Sequence, residues 1–293
     1  MRRLFLETLG RFLILIWQSL LSVKPSWPSA KRIAFLLVFL PLFLVVQLIH
    51  WLGFFLDEIF FRGYRSVPVR EPLFVLGIPR SGTTLLHRTL AESLQFTTFS
   101  TWECLFAPSI TQRKFWQLLG RIDQVFGGLL AAGRRWVEGR LLAGLDGVHL
   151  TRLDAAEEDY LTLMPILACF ILMVPFPHAQ HVWRMGAFDR DMSDAQRQQI
   201  MRWYRAMLQK HLYVHGVDKR LLSKNAAFAS LLESLAEEFN DARFIICMRD
   251  PAEALPSQLS ALAPGLQWCG TEQYIGLYRQ RMLSLFAHYY AHL

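Results

Sequence analysis

Little in this sequence points to a fold held by cross-links. Its 293 residues include four cysteines, Cys104, Cys169, Cys247 and Cys269, set far apart, with no C-x-x-C pair and no Cys/His spacing suited to zinc. A disulfide scaffold is not expected, although the count allows one isolated bridge. Glycine (17) and proline (13) are present in ordinary amounts, which excludes a collagen-like chain. With 53% hydrophobic and 19% charged residues, a disordered chain is excluded as well. There is no internal repeat and no low-complexity tract. A general electrostatic grip on DNA or RNA also lacks support. The net charge is +7, but residues 1–70 hold nine Lys/Arg against three Asp/Glu, while residues 71–293 hold 22 against 21. The basic excess therefore belongs to the N-terminal segment, for which a phospholipid surface is the natural partner.

Charge is missing altogether from residues 33–56. As a helix this run would extend about 36 Å, enough to cross a hydrocarbon core of about 30 Å. Pro41 should kink it, and Gln47 and His50 should seek a protein or interfacial neighbour. Residues 4–22, with Glu7, Arg11 and Trp17, suit an interfacial amphipathic helix or one leg of a hairpin. Six basic residues precede the run (Arg2, Arg3, Arg11, Lys24, Lys31, Arg32) and three follow it (Arg62, Arg65, Arg70), so the positive-inside rule gives only a weak orientation. The expected organisation is a basic, amphipathic segment over 1–32, a transmembrane or membrane-anchoring helix over 33–56, a linker over 57–70 and one folded domain over 71–293.

That domain reads as α/β. Residues 73–78 form a short apolar run between Pro72 and Pro79, too brief for a helix, and 83–94 follow with helical composition. Ser193 and Gln196 make a capping box that opens a helix with Ile200, Trp203, Tyr204, Met207 and Leu208 on one face. Phe228, Leu231, Leu232, Leu235 and Phe239 form another amphipathic face. Asn240 and Asp241 then break the pattern before a second apolar strand at 243–248. Such alternation predicts a three-layer, largely parallel sheet flanked by helices. Residues 120–147 are helix-like, with paired glycines at 127–128, and carry no evident chemistry.

The first chemical motif is Gly77-Ile-Pro-Arg-Ser-Gly-Thr-Thr84, at the tip of the first strand. Its glycine spacing is that of a phosphate loop, whose backbone amides and following helix converge on an anion. The lysine of a nucleoside-triphosphate loop is replaced by Thr83, and the cation sits earlier, as Arg80. The second motif, Arg249-Asp-Pro-Ala-Glu-Ala-Leu-Pro-Ser257, follows the later strand. A planar guanidinium and a hydroxyl eight residues on can converge on one phosphate.

Together these motifs resemble the sulfotransferases that use 3′-phosphoadenosine 5′-phosphosulfate (PAPS), in particular the bacterial-type and tyrosylprotein-like branch. The resemblance covers roughly residues 71–260 and includes Leu221-Leu-Ser-Lys-Asn225 and Asp241-Ala-Arg-Phe-Ile245. It implies a P-loop-related fold and a sulfotransferase using PAPS as donor, with no metal required. By the same resemblance, the loop Pro79, Arg80, Ser81, Gly82, Thr83, Thr84 and Leu85 would hold the 5′-phosphosulfate. Arg249 and Ser257 would hold the 3′-phosphate, Arg80 and Lys224 would stabilise the transferring group, and Glu103 would be the general base. As a base, Glu103 would need a raised pKa and hydrogen-bond reach to the acceptor. Because PAPS is made in the cytosol, the domain is expected on the cytoplasmic face of a membrane, with a Golgi-type lumenal placement as the alternative. Membrane lipids, and a small-molecule, lipid or glycan acceptor, are the expected partners. Relatives continue beyond the equivalent of residue 293, so the expectation is either a C-terminal truncation or a C-terminal part that is dispensable here.

Other features are less specific. Asp154, Glu157, Glu158 and Asp159 could share a helix face and orient a substrate, but a solvated helix start explains them as well. His149 suits packing or an acceptor contact better than catalysis. Two other readings compete with sulfuryl transfer. One is a P-loop nucleotide kinase or NTPase, favoured by the Gly77–Gly82 spacing and Asp250. The other is a non-catalytic membrane protein with a decayed nucleotide domain.

Overall fold

The computed structural model describes residues 1–21, 28–128 and 153–293. Lys24, His149 and the part of the 120–147 segment beyond Gly128 lie outside the described residues. Four parallel strands form the sheet: β1 (Leu73–Gly77), β2 (Phe96–Thr97), β3 (Arg220–Lys224) and β4 (Arg243–Cys247), in the order β2-β3-β1-β4. Leu73 pairs with Leu222 on one side and with Arg243 on the other, and Gly77 pairs with Cys247. β1 is buried along its whole length, as an apolar run covered on both faces must be. β4, at one edge of the sheet, is only partly covered.

Helices enclose the sheet. α1 (Arg2–Leu21) and α2 (Ala30–Phe60) come first, then α3 (Thr83–Ala91), α4 (Thr101–Phe106) and α5 (Ile110–Val125). After residue 153 come α6 (Gln180–Met185), α7 (Phe188–Asp191), α8 (Asp194–His215), α9 (Leu232–Glu238), α10 (Pro251–Cys269) and α11 (Ile275–His292). The Ser193/Gln196 capping box does open α8, and all five residues expected on its inner face are buried. The 228–239 face is divided: Ala226–Leu231 is a 3-10 turn, and α9 follows it.

α2 is longer than its charge-free run and extends through Pro41. One stripe of it joins the core. Phe54 stands edge-on to Trp203 of α8 at 4.9 Å, and Trp51 lies 5.5 Å from the same ring. Each such buried side chain contributes about 1.5–3 kcal/mol. His50 does find a protein partner, since Gln112 Nε2 donates to its Nδ1 at 3.0 Å. Asp57, at the end of the helix, is fully buried against Lys210 Nζ at 2.7 Å. Residues 57–60 complete α2, and Arg62–Ser66 forms a 3-10 turn whose Tyr64 ring lies 3.8 Å from the Lys210 ammonium.

Candidate active site

The carboxyl ends of β1, β3 and β4 lie side by side, where open α/β sheets form their ligand crevice. β1 ends at Gly77, with φ +145°, and a Cβ there would fall 2.1 Å from the Cys247 carbonyl oxygen. Only glycine allows the two strand ends this approach. It sets Arg249, two residues beyond β4, against the loop that follows β1. Arg249 Nη1 donates to the Arg80 carbonyl at 2.8 Å, and its Nε and Nη2 donate to Glu253 at 3.1 and 3.0 Å. Arg80 takes φ +70°, a sparsely populated conformation for a side-chain-bearing residue, costing on the order of 1 kcal/mol. Its Nε donates to Ser257 Oγ at 3.1 Å.

Gly82, with φ +86°, precedes the first turn of α3, and open space lies where its Cβ would be. The first amides of a helix have no intrahelical partner, so this opening exposes donors and the positive end of the helix dipole. Ser81 Oγ is buried without a hydrogen-bond partner among the described residues. An orphaned buried hydroxyl beside open amides fits an oxyanion ligand.

A cavity of about 520 Å³ adjoins this loop. Pro79, Arg80, Gly82, Thr83, Thr84 and Arg249 form its polar end. Its opposite wall is largely apolar, built from Phe170, Ile171 and Met173, from Leu262 of α10, and from Met282, Leu285 and Phe286 of α11. Glu158 faces the same cavity and accepts a hydrogen bond from Lys224 Nζ, at the end of β3. Lys224 is buried, and its charge reaches the neighbouring His87. Burial first, then Lys224 and Arg88, pushes His87 down to about 3, so its imidazole stays neutral.

The loop residues Pro79, Arg80, Gly82, Thr83 and Thr84 and the later Arg249 thus meet at one cavity. Ser257 joins them through Arg80, and Lys224 through Glu158. Leu85 does not: its side chain is exposed, and its amide donates to the Gly82 carbonyl at 3.1 Å. Glu103 is likewise elsewhere. It closes a capping box at the start of α4, where its Oε2 accepts from Ser100 N at 3.0 Å and Ser100 Oγ at 2.8 Å. Its Oε1 lies 2.5 Å from His215 Nε2 and 3.6 Å from the buried Arg113. Burial alone would raise this carboxyl. The His215 hydrogen bond and the charges of Arg113 and His211 outweigh burial and hold it well below the usual carboxylate range. These surroundings lower the Glu103 carboxyl, where a general base needs it raised.

The acidic cluster does lead into a helix start, since Asp159 opens a 3-10 turn, but only Asp154 is exposed. Glu157 accepts from Thr101 Oγ1 at 3.1 Å, Glu158 faces the cavity, and Asp159 is buried beneath it. Tyr204 OH (2.6 Å), Ser223 Oγ (2.8 Å) and Asn225 Nδ2 all donate to Asp159. Asp250, which had favoured an NTPase, is occupied as the N-cap of α10, accepting from Ala252 N at 2.8 Å. A cluster missed in the sequence is Glu103 with His211 and His215, whose ligating atoms lie within 4.8 Å of one another. The i, i+4 pair of histidines on α8 was its visible sign. Arg113, 3.4 Å from His211 Nδ1, supplies positive charge there already.

Comparison with known proteins bears on the fold and the family. The sequence model of the sulfotransferase family matches residues 72–293. Among solved structures, the chain is similar to sulfotransferase STF1 of Mycobacterium tuberculosis H37Rv, with a TM-score of 0.65 at 18% identity, covering 98% of this chain and 74% of that one. It is also similar to sulfotransferase STF9 of Mycobacterium avium, with a TM-score of 0.56 at 18% identity, covering 79% of this chain and 59% of that one. No curated protein sequence matches the chain.

Proposed function

The chain belongs to the sulfotransferase family, and from that premise we propose that it transfers a sulfuryl group from PAPS to a hydroxyl or amine of an amphiphilic, membrane-proximal acceptor such as a lipid or glycan. The observation that carries this reading is the meeting of Arg80, Arg249 and Ser257 around one loop, beside the orphaned Ser81 hydroxyl. Two anion sites on neighbouring strand ends suit a nucleotide with phosphate at both its 5′ and 3′ positions.

The reaction forms a bond from sulfur to the acceptor oxygen or nitrogen and breaks the one to the donor's 5′-phosphate, while the acceptor loses a proton. The loop amides near Gly82, with Ser81, Thr83 and Thr84, bind the phosphosulfate end. Arg80 offsets charge developing there, which is worth most in a site that excludes water. Arg249 and Ser257 hold the 3′-phosphate. Glu158 takes the acceptor proton, since it faces the cavity, and Lys224 holds its carboxylate in position. The apolar wall selects an acceptor with a hydrophobic body. We further propose membrane attachment with this domain on the cytoplasmic face. The helix Ala30–Phe60, which is long and apolar enough to cross a membrane, supports attachment, and a donor made in the cytosol supports the side.

The test compares two carboxylates by transfer of labelled sulfate. Glu158→Gln should lower kcat by about 10²–10⁴-fold while donor binding persists. Glu103→Gln should lower the melting temperature through loss of a buried ion pair and leave the kcat of the folded enzyme close to the parent's. The reverse pattern would return the general base to Glu103.

A further inference from the structure

The inner stripe of α2 is bonded to the body at both ends and between them. Near its start, Arg32 donates to the carbonyls of Pro175 (2.5 Å) and Cys269 (3.1 Å). Trp51 Nε1 donates to the Pro165 carbonyl at 3.0 Å, and Asp57 accepts from Lys210 and from the amides of Ile110 and Thr111. From residue 32 to 57 the helix rises about 38 Å, more than the roughly 30 Å of a hydrocarbon core. Were α2 to cross a bilayer, it would carry this bonded body, with its many charges, through the full apolar thickness.

The outer stripe is its opposite. From Ile33 to Phe60 every exposed residue of α2 is apolar, and Leu37 and Val38 are each 69% exposed. α1 runs antiparallel beside it, with Phe5 5.2 Å from Trp51 and Phe12 6.1 Å from Phe43. It is tied to the body by Arg11 on the Ile166 carbonyl and adds Leu6, Leu13, Ile14 and Trp17 to the exposed apolar surface. Trp268, at the end of α10, is 69% exposed and packs edge-on against Phe35, extending the patch. Exposed cations border it at both ends: Arg2 and Arg3 where α1 begins, and Lys31 where α2 begins.

We propose that α1 and α2 form an in-plane hairpin that seats the protein on one leaflet of an anionic membrane, without crossing it. Cations at both ends and tryptophans within the patch are what a surface lying at headgroup depth requires. Charge also decides between a membrane and a second copy of the chain. The hairpin, residues 1–60, carries six basic groups against three acidic, so two such faces would repel, whereas anionic headgroups attract them. This rests on the membrane attachment proposed above for location alone and does not involve sulfuryl transfer.

The full chain would be reconstituted with vesicles of phosphatidylglycerol and phosphatidylcholine, and compared with phosphatidylcholine alone. Nitroxide labels on cysteines placed at the exposed Val38, Val45 and Leu52 report depth. The in-plane hairpin gives preferential binding to the anionic vesicles and one common depth for all three labels. A spanning helix gives depths differing by about 20 Å between the first and last label, and would overturn the proposal. Leu37→Glu with Leu42→Glu, both on the exposed stripe, should weaken vesicle binding by more than about tenfold. Indifference to anionic vesicles, or a dimer abolished by the same pair, would overturn it equally. Nucleotide binding measured on the same samples separates failure of this proposal from failure of the proposed reaction.

Discussion

A carboxylate surrounded by three hydrogen-bond donors would ordinarily titrate low, yet burial drives Asp159 the other way, up to about 6, against the bonds from Tyr204, Asn225 and Ser223. The native state therefore holds a proton that the unfolded chain releases at an ordinary carboxylate pKa. Stability from this residue is fully present below about pH 4 and is lost as pH rises through about 6. Asp159→Asn, which cannot ionise, should remove that slope. Between pH 4 and 6 the parent should lose roughly 1–3 kcal/mol relative to the variant, read as the difference between their unfolding curves at each pH. At this scale the residues of the proposed phosphate site could be picked out because each motif is local. Arg80, Ser81 and Gly82 lie in one loop, and Arg249 directly precedes the N-cap of α10 while Ser257 lies in its second turn. The pairing that motivates Glu158 as the proposed base was not legible, since it depends on Lys224, 66 residues away. The sign for Glu103 was present and overlooked: Ser100-Thr-Trp-Glu103 is a capping-box sequence.

Among the elements, the strands and α8 could be read from pattern, because period and cap residues are local properties. α2 could not be read fully. A charge-free run says that a helix avoids water, but it does not say whether lipid or protein covers each side. The distinction lies in Arg32, Trp51 and Asp57, whose partners come from remote parts of the chain. Asp57 makes a direct test of how α2 is held. It is fully buried and neutralises Lys210, whose side chain is 1% exposed, while also accepting the first amides of α5. Asp57→Ala leaves a buried, unpaired ammonium and should destabilise the fold by about 3–5 kcal/mol in denaturant titration. If α2 were a detachable anchor, the same change would leave the stability of the body unaltered.

For the molecule as a whole, charge, cavity and hairpin describe one arrangement. The body of the chain is nearly neutral overall, so its cations act locally, at Arg80, Lys224 and Arg249, while the general basic excess lies in residues 1–70. The cavity joins a polar end at the phosphate loop to an apolar wall from α10 and α11, consistent with a charged donor meeting a hydrophobic acceptor. On the proposed reading, the loop after β1 and the arginine after β4 grip one bisphosphorylated nucleotide. Calorimetric titration of the folded full chain with adenosine 3′,5′-diphosphate, without magnesium, tests it most directly. Binding at one site is expected, weakened by about 10–100-fold in Arg249→Ala through loss of charge-assisted hydrogen bonds. A folded protein that gives no heat, or an Arg249→Ala variant that binds as tightly as the parent, would contradict it.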